Sequence, residues 1–573
     1  MEKNEMYIVE ITDLTSEGEG VGKIDAFPLF IKDTCVGDVV ECKVMKLKKT
    51  YGFAKLMRVV EPSKDRVEAR CPRAKSCGGC QIQETSYEAQ LKFKTDKVKE
   101  NLRRIGGFEI CESDSEVSAG GVAAGGNEHL SSGQVFVQPC IGMEEPWRYR
   151  DKAQVPFGYD KNGKLVAGFY AGHTHDIIDM EDCALTPETM AEVIRAVKAW
   201  MITYKVRAYD ENTHRGLVRH ALIRKGFVTG EVMLCLVITA ENCPHTEELL
   251  ELLRKIKGFR TLSININKTT GNTILSPDTR VVYGPGYIED LIGDVRFRIS
   301  PNSFFQVNPV QTLALYGKAL EFAGLSGDEN VWDLYCGIGT ISLFLAQKAK
   351  KVYGVEIVPQ AIVDAKENAT LNGFSNTEFY TGKAEEVLPE WYKKHAGERI
   401  NVISVDPPRK GCDPACLETI GRMAPDRVVY VSCDSATLAR DLKILTQEYC
   451  YRVEKVQPVD MFPQTVHVET CVLLSKLNSN SDLRVKFEID AEDIYDESLM
   501  GNATYMQIKE YVKKQTGLLV TNLNIAKCKD KYGIVKRKNY NVGSGKSRVP
   551  NCPKDKEKAI FAAFRYFGMI EME

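Results

Sequence analysis

Charge of either sign is not in excess in this 573-residue chain: 76 Lys and Arg stand against 78 Asp and Glu, a formal net charge of −2. Whole-molecule attraction to a polyanion is therefore absent, and any nucleic-acid binding must come from local patches. Residues 43–58 hold six Lys/Arg and no acid, and residues 527–548 hold eight against Asp530 alone. Taken singly, each patch reads as a solvated face. No apolar run is long enough to span a bilayer, so no membrane partner is expected. Met1–Glu5 leads straight into a strand-like segment with no secretory signal. The 18 cysteines are scattered, so a reducing, cytoplasmic setting is expected. Clustered cysteines then read as metal ligands or catalysts rather than disulfides.

The length predicts three or four domains. Short strands separated by glycine turns over 1–62 (Tyr7–Leu14, Pro28–Ile31, Asp38–Leu47, Gly52–Val60) predict a small closed β-barrel. Residues 63–300 predict a mixed α+β central domain with helices at Glu188–Thr203 and Thr246–Lys257. Within it, Ser113–Gly133 is rich in Ser, Gly, Glu and Ala and reads as a flexible insertion. Over 301–480, apolar strands at Val331–Leu334, Lys351–Val355, Val402–Val405 and Val428–Ser432 alternate with helical segments. That is the rhythm of an α/β, doubly wound parallel sheet. Residues 482–573 read as an appended module, and the chain as a monomer.

In open α/β sheets the ligand lies at the carboxyl ends of the strands. Strand 331–334 runs into Tyr335-Cys336-Gly337-Ile338-Gly339-Thr340, and strand 351–355 into Glu356. Glycines admit a ligand close to the backbone, and an acid at that strand end can accept both ribose hydroxyls of an adenosine-containing cofactor. The turn lacks the third glycine of Gly-x-Gly-x-x-Gly, which argues against a nicotinamide or flavin enzyme. Downstream stand Asp406-Pro407-Pro408-Arg409 and a lone thiol, Cys433, closing the apolar run Val428–Ser432.

Asp-Pro-Pro also suits amino-group methylation, where an aromatic residue usually follows to stack on the base; here Arg409 follows. An exocyclic amine needs no enzyme nucleophile, whereas carbon 5 of uracil does. Thiolate addition at carbon 6 makes an enolate whose carbon 5 can take a methyl group. The thiolate must be favoured, and Arg409 and Lys410 are the candidates for that field. A base must then remove the carbon-5 proton, and Glu469, in His467-Val468-Glu469-Thr470, is the candidate. Separately, Cys71, Cys77 and Cys80 supply three thiols around Gly78-Gly79. Spacing leaves zinc and an iron–sulfur cluster equally open.

Together Phe305-Gln306-Val307-Asn308, Asp333-Leu334-Tyr335-Cys336-Gly337, Asp406-Pro407-Pro408-Arg409, Ser432-Cys433-Asp434 and His467-Val468-Glu469-Thr470 resemble the RNA uracil-5-methyltransferase family over most of residues 1–477. The resemblance implies a class I, Rossmann-like methyltransferase domain using S-adenosylmethionine, and an N-terminal OB-like barrel of the RNA-binding TRAM type. It implies cofactor contacts at Gln306, Tyr335, Glu356 and Asp406, with Cys433 as nucleophile and Glu469 as base. Thr340 departs from the pattern, since some members carry Asn there. Some members hold a [4Fe–4S] cluster on such a cysteine motif, which implies Cys71, Cys77, Cys80 and the distant Cys183 as ligands. Barrel and cluster together resemble the ribosomal-RNA branch, acting on 23S rRNA, more than the transfer-RNA branch. A non-catalytic iron–sulfur RNA-binding protein and a redox sensor are the competing classes; Cys433 with Glu469 opposes the first, the donor site the second.

Overall fold

The computed structural model describes residues 1–111, 134–172, 174–180, 182–395, 398–477, 505–516, 518, 520, 522–531, 554–566 and 569. The Ser113–Gly133 insertion and most of the basic stretch 527–548 lie outside them. The chain divides into two compact units, Met1–Asn478 and Ser479–Glu573.

The first unit begins with a closed five-stranded barrel made of Met6–Leu14, Gly20–Ile24, Phe27–Ile31, Val39–Leu47 and Gly52–Glu61. Alternate residues Val40, Cys42 and Val44 point into its core with Leu29 and Ile31, the period-2 burial of a strand with one solvated face. Its base is tied to the following segment through Arg66, which bonds buried Asp38 at 2.8 Å and Glu84 at 3.0 Å. Lys97 Nζ donates to the carbonyls of Ser16 (3.1 Å) and Val466 (3.0 Å), joining a barrel loop to the loop that precedes Glu469.

The central region is a seven-stranded sheet running Ile177–Asp179, Leu165–Tyr170, Lys152–Tyr159, Val218–Lys225, Val232–Ile238, Phe259–Ile266, Thr279–Tyr283. The helix Glu188–Thr203 forms as expected. The second helix covers Thr246–Leu253, four residues shorter than its sequence pattern. Lys255 and Lys257 offer nothing to bury, and Gly258 turns the chain at φ +82°.

The third region is also a seven-stranded sheet, in the order Thr377–Thr381, Lys351–Glu356, Asn330–Leu334, Val402–Val405, Arg427–Ser432, Glu469–Lys476, Tyr451–Val459. The first five strands are parallel and largely apolar, buried by helices such as Pro309–Ala323 and Pro359–Leu371. Glu469–Lys476 runs antiparallel to both its neighbours, Arg427–Ser432 and Tyr451–Val459, so the sheet is mixed rather than wholly parallel. The loop 460–468 carries no crossover helix, and a short connection can join only antiparallel neighbours. The second unit contains helices at Tyr505–Thr516, Asn522–Lys531 and Lys554–Tyr566 around Ile508, Val512, Ile525, Ile560 and Phe564. Among the described residues no helix is long and apolar enough to cross a membrane.

Candidate active site

Register assembles the site. Leu334 pairs with Val355 and with Val405, and Val405 with Tyr430. The four parallel strands therefore end within two residues of a common level, and Tyr335, Glu356, Asp406 and Cys433 emerge at one rim. Ser432 pairs with Thr470 on the antiparallel neighbour, bringing Glu469 to the same rim. Gln306 arrives from the loop ahead of the helix Pro309–Ala323, where Asn308 caps by accepting from Gln311 N at 3.2 Å. All six residues line one cavity of about 730 Å³, together with Thr340, Arg409 and Lys410.

At the glycine-turn end the backbone is wound left-handed at Tyr335 (φ +65°), Gly337 (+54°) and Gly339 (+83°). A Cβ on Gly337 would meet no atom within 4 Å, whereas one on Gly339 would press on Ala365 and Phe379 at 3.3–3.4 Å. The first glycine keeps the cavity open; the second permits helix packing. Glu356 accepts from Gly337 N (3.3 Å) and Val358 N (3.0 Å), which leaves carboxylate lone pairs for a pair of hydroxyls. Asp333 Oδ2 accepts from Ser342 Oγ at 2.5 Å while its Oδ1 is buried without a partner. Burial lifts its pKa to about 7 against the pull of Ser342. Thr340 Oγ1 lies 3.1 Å from Tyr316 OH. These groups fit an adenosine-bearing cation.

At the other end Cys433 sits between its strand and the helix Ser435–Tyr449, whose N-terminus is capped by Asp434 accepting from Ala436 and Thr437 N–H groups. Burial pushes the Cys433 thiol up to about 12, helped by the charges of Glu469 and Asp406 and opposed by Arg409. Glu469 is 3 % exposed, and its Oε2 has no hydrogen-bond partner. Burial raises it to about 8, again with Asp406 adding and Arg409 opposing. Burial likewise lifts Asp406 to about 7. Arg409 opposes both shifts, but burial and the neighbouring carboxylates outweigh it. Thr437 Oγ1 donates to the Arg409 carbonyl at 3.1 Å, fixing its backbone.

Phe304, Phe462 and the segment Gly382–Glu385 line the cavity without belonging to a motif, and His467 lines it from the motif of Glu469. The loop bearing Phe462 and His467 is held by a helix the sequence pattern does not announce, Tyr87–Asn101. Its Lys94 forms a fully buried ion pair with Asp460 and donates to the Phe462 carbonyl at 3.0 Å. Tyr87 OH donates to Asp460 at 2.9 Å, and Gln90 exchanges hydrogen bonds with Gln464. The buried positions of this helix are Gln90, Lys94 and Val98, so hydrophobic periodicity gives no signal there.

Cys71, Cys77, Cys80 and Cys183 line a second cavity of about 360 Å³, whose wall includes Arg409, Phe462 and His467 from the first. All four are free thiols. Burial raises Cys80 to about 12, and the neighbouring thiols of Cys183, Cys77 and Cys71 add to the rise. Among the described residues no group of three or more His, Cys, Asp or Glu is arranged to hold a metal ion. Four thiols around one space are the donor type that a thiolate-bound cluster uses.

Comparison with known proteins agrees with this architecture. A family model described as tRNA (uracil-5-)-methyltransferase matches residues 260–477, and the TRAM domain matches residues 2–57. An uncharacterized RNA methyltransferase of Halalkalibacterium halodurans is 50% identical over 477 residues, 83% of this chain and 98% of that protein. One from Clostridium tetani is 45% identical over 476 residues, with 83% and 97% covered. The crystal structure of Pyrococcus abyssi tRNA (uracil-54, C5)-methyltransferase in complex with S-adenosyl-L-homocysteine superposes with a TM-score of 0.62 at 26% identity, covering 82% of this chain and 99% of that one. The chain belongs to the RNA (uracil-5-)-methyltransferase family.

Proposed function

We propose that this enzyme methylates carbon 5 of a uridine in RNA, with S-adenosylmethionine as donor and Cys433 as covalent nucleophile. The observation that carries the reading is the convergence of Gln306, Tyr335, Glu356, Asp406, Cys433 and Glu469 on one cavity. When bound, the donor supplies an electrophilic methyl group. Glu356 would accept its ribose hydroxyls, Gly337 would leave room for it, and Gln306, Tyr335 and Asp406 would complete the enclosure.

Cys433 Sγ attacks carbon 6 of the uracil, and the π electrons of the C5–C6 bond move toward the carbonyl oxygen. The enolate electrons would return through carbon 5 to the methyl carbon as its bond to the donor's sulfur breaks, the donor leaving as a neutral thioether. Glu469 removes the carbon-5 proton, and the Sγ–C6 bond breaks as the double bond re-forms. Arg409 favours the thiolate form of Cys433 and the ionised form of Glu469. A uracil edge is out of reach within a duplex, so the target lies in a loop or is flipped out.

Cys71, Cys77, Cys80 and Cys183 would hold a [4Fe–4S] cluster, which organises fold and RNA surface rather than chemistry. Barrel and four-cysteine set together favour ribosomal RNA. The named target of the Pyrococcus abyssi neighbour favours transfer RNA as the second reading. Mapping 5-methyluridine in ribosomal and transfer RNA from a deletion strain tests the proposal. Loss of one modification in ribosomal RNA supports it, loss in transfer RNA selects the second reading, and no loss in either contradicts both.

A further inference from the structure

The central sheet sends one charged side chain toward the segment that builds the catalytic cavity. Along Val218–Lys225 alternate side chains share a face. Leu222 packs in the same apolar cluster as Ile288, Phe297 and Phe305, and Arg224, two residues on, points the same way. Arg224 is 2 % exposed. Its Nε and Nη1 have no hydrogen-bond partner among the described residues, and Asp151, the opposing charge nearby, is buried with its Oδ1 unpartnered. Burying a guanidinium with donors unmatched is costly. The guanidinium makes one hydrogen bond among the described residues, from Nη2 to the Ser303 carbonyl.

Ser303 heads the segment that brings Phe304 and Gln306 to the cavity while Phe305 goes to the core. Its side chain is engaged elsewhere: Ser303 Oγ accepts from Ser300 N at 3.0 Å and donates to Asp364 at 3.2 Å. At the far end of the segment, Asp151 N donates to the Val307 carbonyl at 2.9 Å, and the Asp151 carbonyl accepts from Lys225 N at 2.9 Å. Gln306 therefore lies between two anchors, Ser303 and Val307, both held where the strand of Arg224 runs beside Asp151 and Lys152. We propose that Arg224 is a positioning residue for the methyl donor: its hydrogen bond to the Ser303 carbonyl sets this segment so that Gln306 faces the donor. A sheet none of whose described residues lines the catalytic cavity thereby fixes one of its walls. The inference rests on the reading of Gln306 as a donor contact.

The test is calorimetric titration of the full-length protein with S-adenosylhomocysteine, with a thermal melt of each variant. The hydrogen bond is removed in two ways. Arg224→Lys keeps the buried charge near Asp151, but its nitrogen stops where the guanidinium carbon stood, one bond short of Nη2. Arg224→Met with Asp151→Asn removes both charges together, so neither is stranded. Each is expected to weaken S-adenosylhomocysteine about tenfold and to raise the KM for S-adenosylmethionine by the same factor. In the Gln306→Ala background the same changes are expected to cost less than about twofold, because the contact they position is already gone. A further tenfold loss in that background makes the role of Arg224 structural and overturns the proposal. Wild-type affinity in the folded Arg224 variants overturns it too, as does failure of both to fold. Gln306→Ala alone binding as wild type overturns the donor contact instead, whatever the Arg224 variants do.

Discussion

Ser432 pairs with Thr470 across two antiparallel strands, and this register sets Cys433 and Glu469 side by side where both strands reach the cavity. Neither residue owes its place to a loop. A strand end fixes a side chain to within the tolerance that covalent chemistry requires, and the apolar runs on either side leave the register no freedom to slip.

The two glycines of the turn should separate binding from stability. Gly337→Ala places a methyl group into open cavity at φ +54°, so it costs about 1–2 kcal/mol of backbone strain and sharply weakens S-adenosylmethionine binding. Gly339→Ala instead presses on Ala365 and Phe379 and should lower the melting temperature further. Calorimetric titration and thermal melts of both variants check the contrast; equal donor affinity in Gly337→Ala and wild type would contradict the assignment of this turn.

The pH dependence follows from Glu469. Its folded pKa, about 8, lies above the ordinary 4.5 because the carboxyl is buried beside Asp406. The stabilisation from its proton is therefore full below about 4.5 and is lost as pH rises toward 8. Glu469→Gln cannot titrate, so its melting temperature relative to wild type should climb across that window. In activity the sign is opposite, since the base must be ionised: kcat/KM of the free enzyme should rise toward pH 8. Arg409→Gln removes the opposing charge and should move that limb to higher pH. A limb that stays in place removes Arg409 from the electrostatics of the site.

Lys94 and Asp460 are both fully buried. Removing one partner strands the other, a loss of about 3–5 kcal/mol, and frees the loop that carries Phe462 and His467 into the cavity. Lys94→Met should therefore lower both the melting temperature and turnover. Unfolding and turnover assays that found this variant unchanged would show that the loop is held by other contacts.

Much of this arrangement is legible in the sequence because it rests on apolar strands with chemistry at their ends. Val402–Val405 and Glu188–Thr203 form over the residues their patterns mark. Gln306, Tyr335, Glu356, Asp406, Cys433 and Glu469, named from motifs, share one cavity. What escapes notice is what lacks period. The helix Tyr87–Asn101 buries Gln90 and Lys94, so its inner face looks like an outer one. Phe304 and Phe462 are aromatics in loops, and only the folded chain brings them to the cavity. The antiparallel end of the sheet is hidden for a different reason: direction is set by the short loop between Tyr451–Val459 and Glu469–Lys476 rather than by the residues of either strand.

The most direct measurement is denaturing electrophoresis of the enzyme with unmodified RNA and radiolabelled S-adenosylmethionine, run for wild type, Cys433→Ala and Glu469→Gln. The account predicts that Glu469→Gln traps a methylated protein–RNA band that survives denaturation, because the carbon-5 proton stays in place and the Sγ–C6 bond cannot break. Cys433→Ala should give no band and no product while binding the donor nearly as wild type does. Product formed by Cys433→Ala at more than a few per cent of wild-type turnover would contradict covalent catalysis by this thiol.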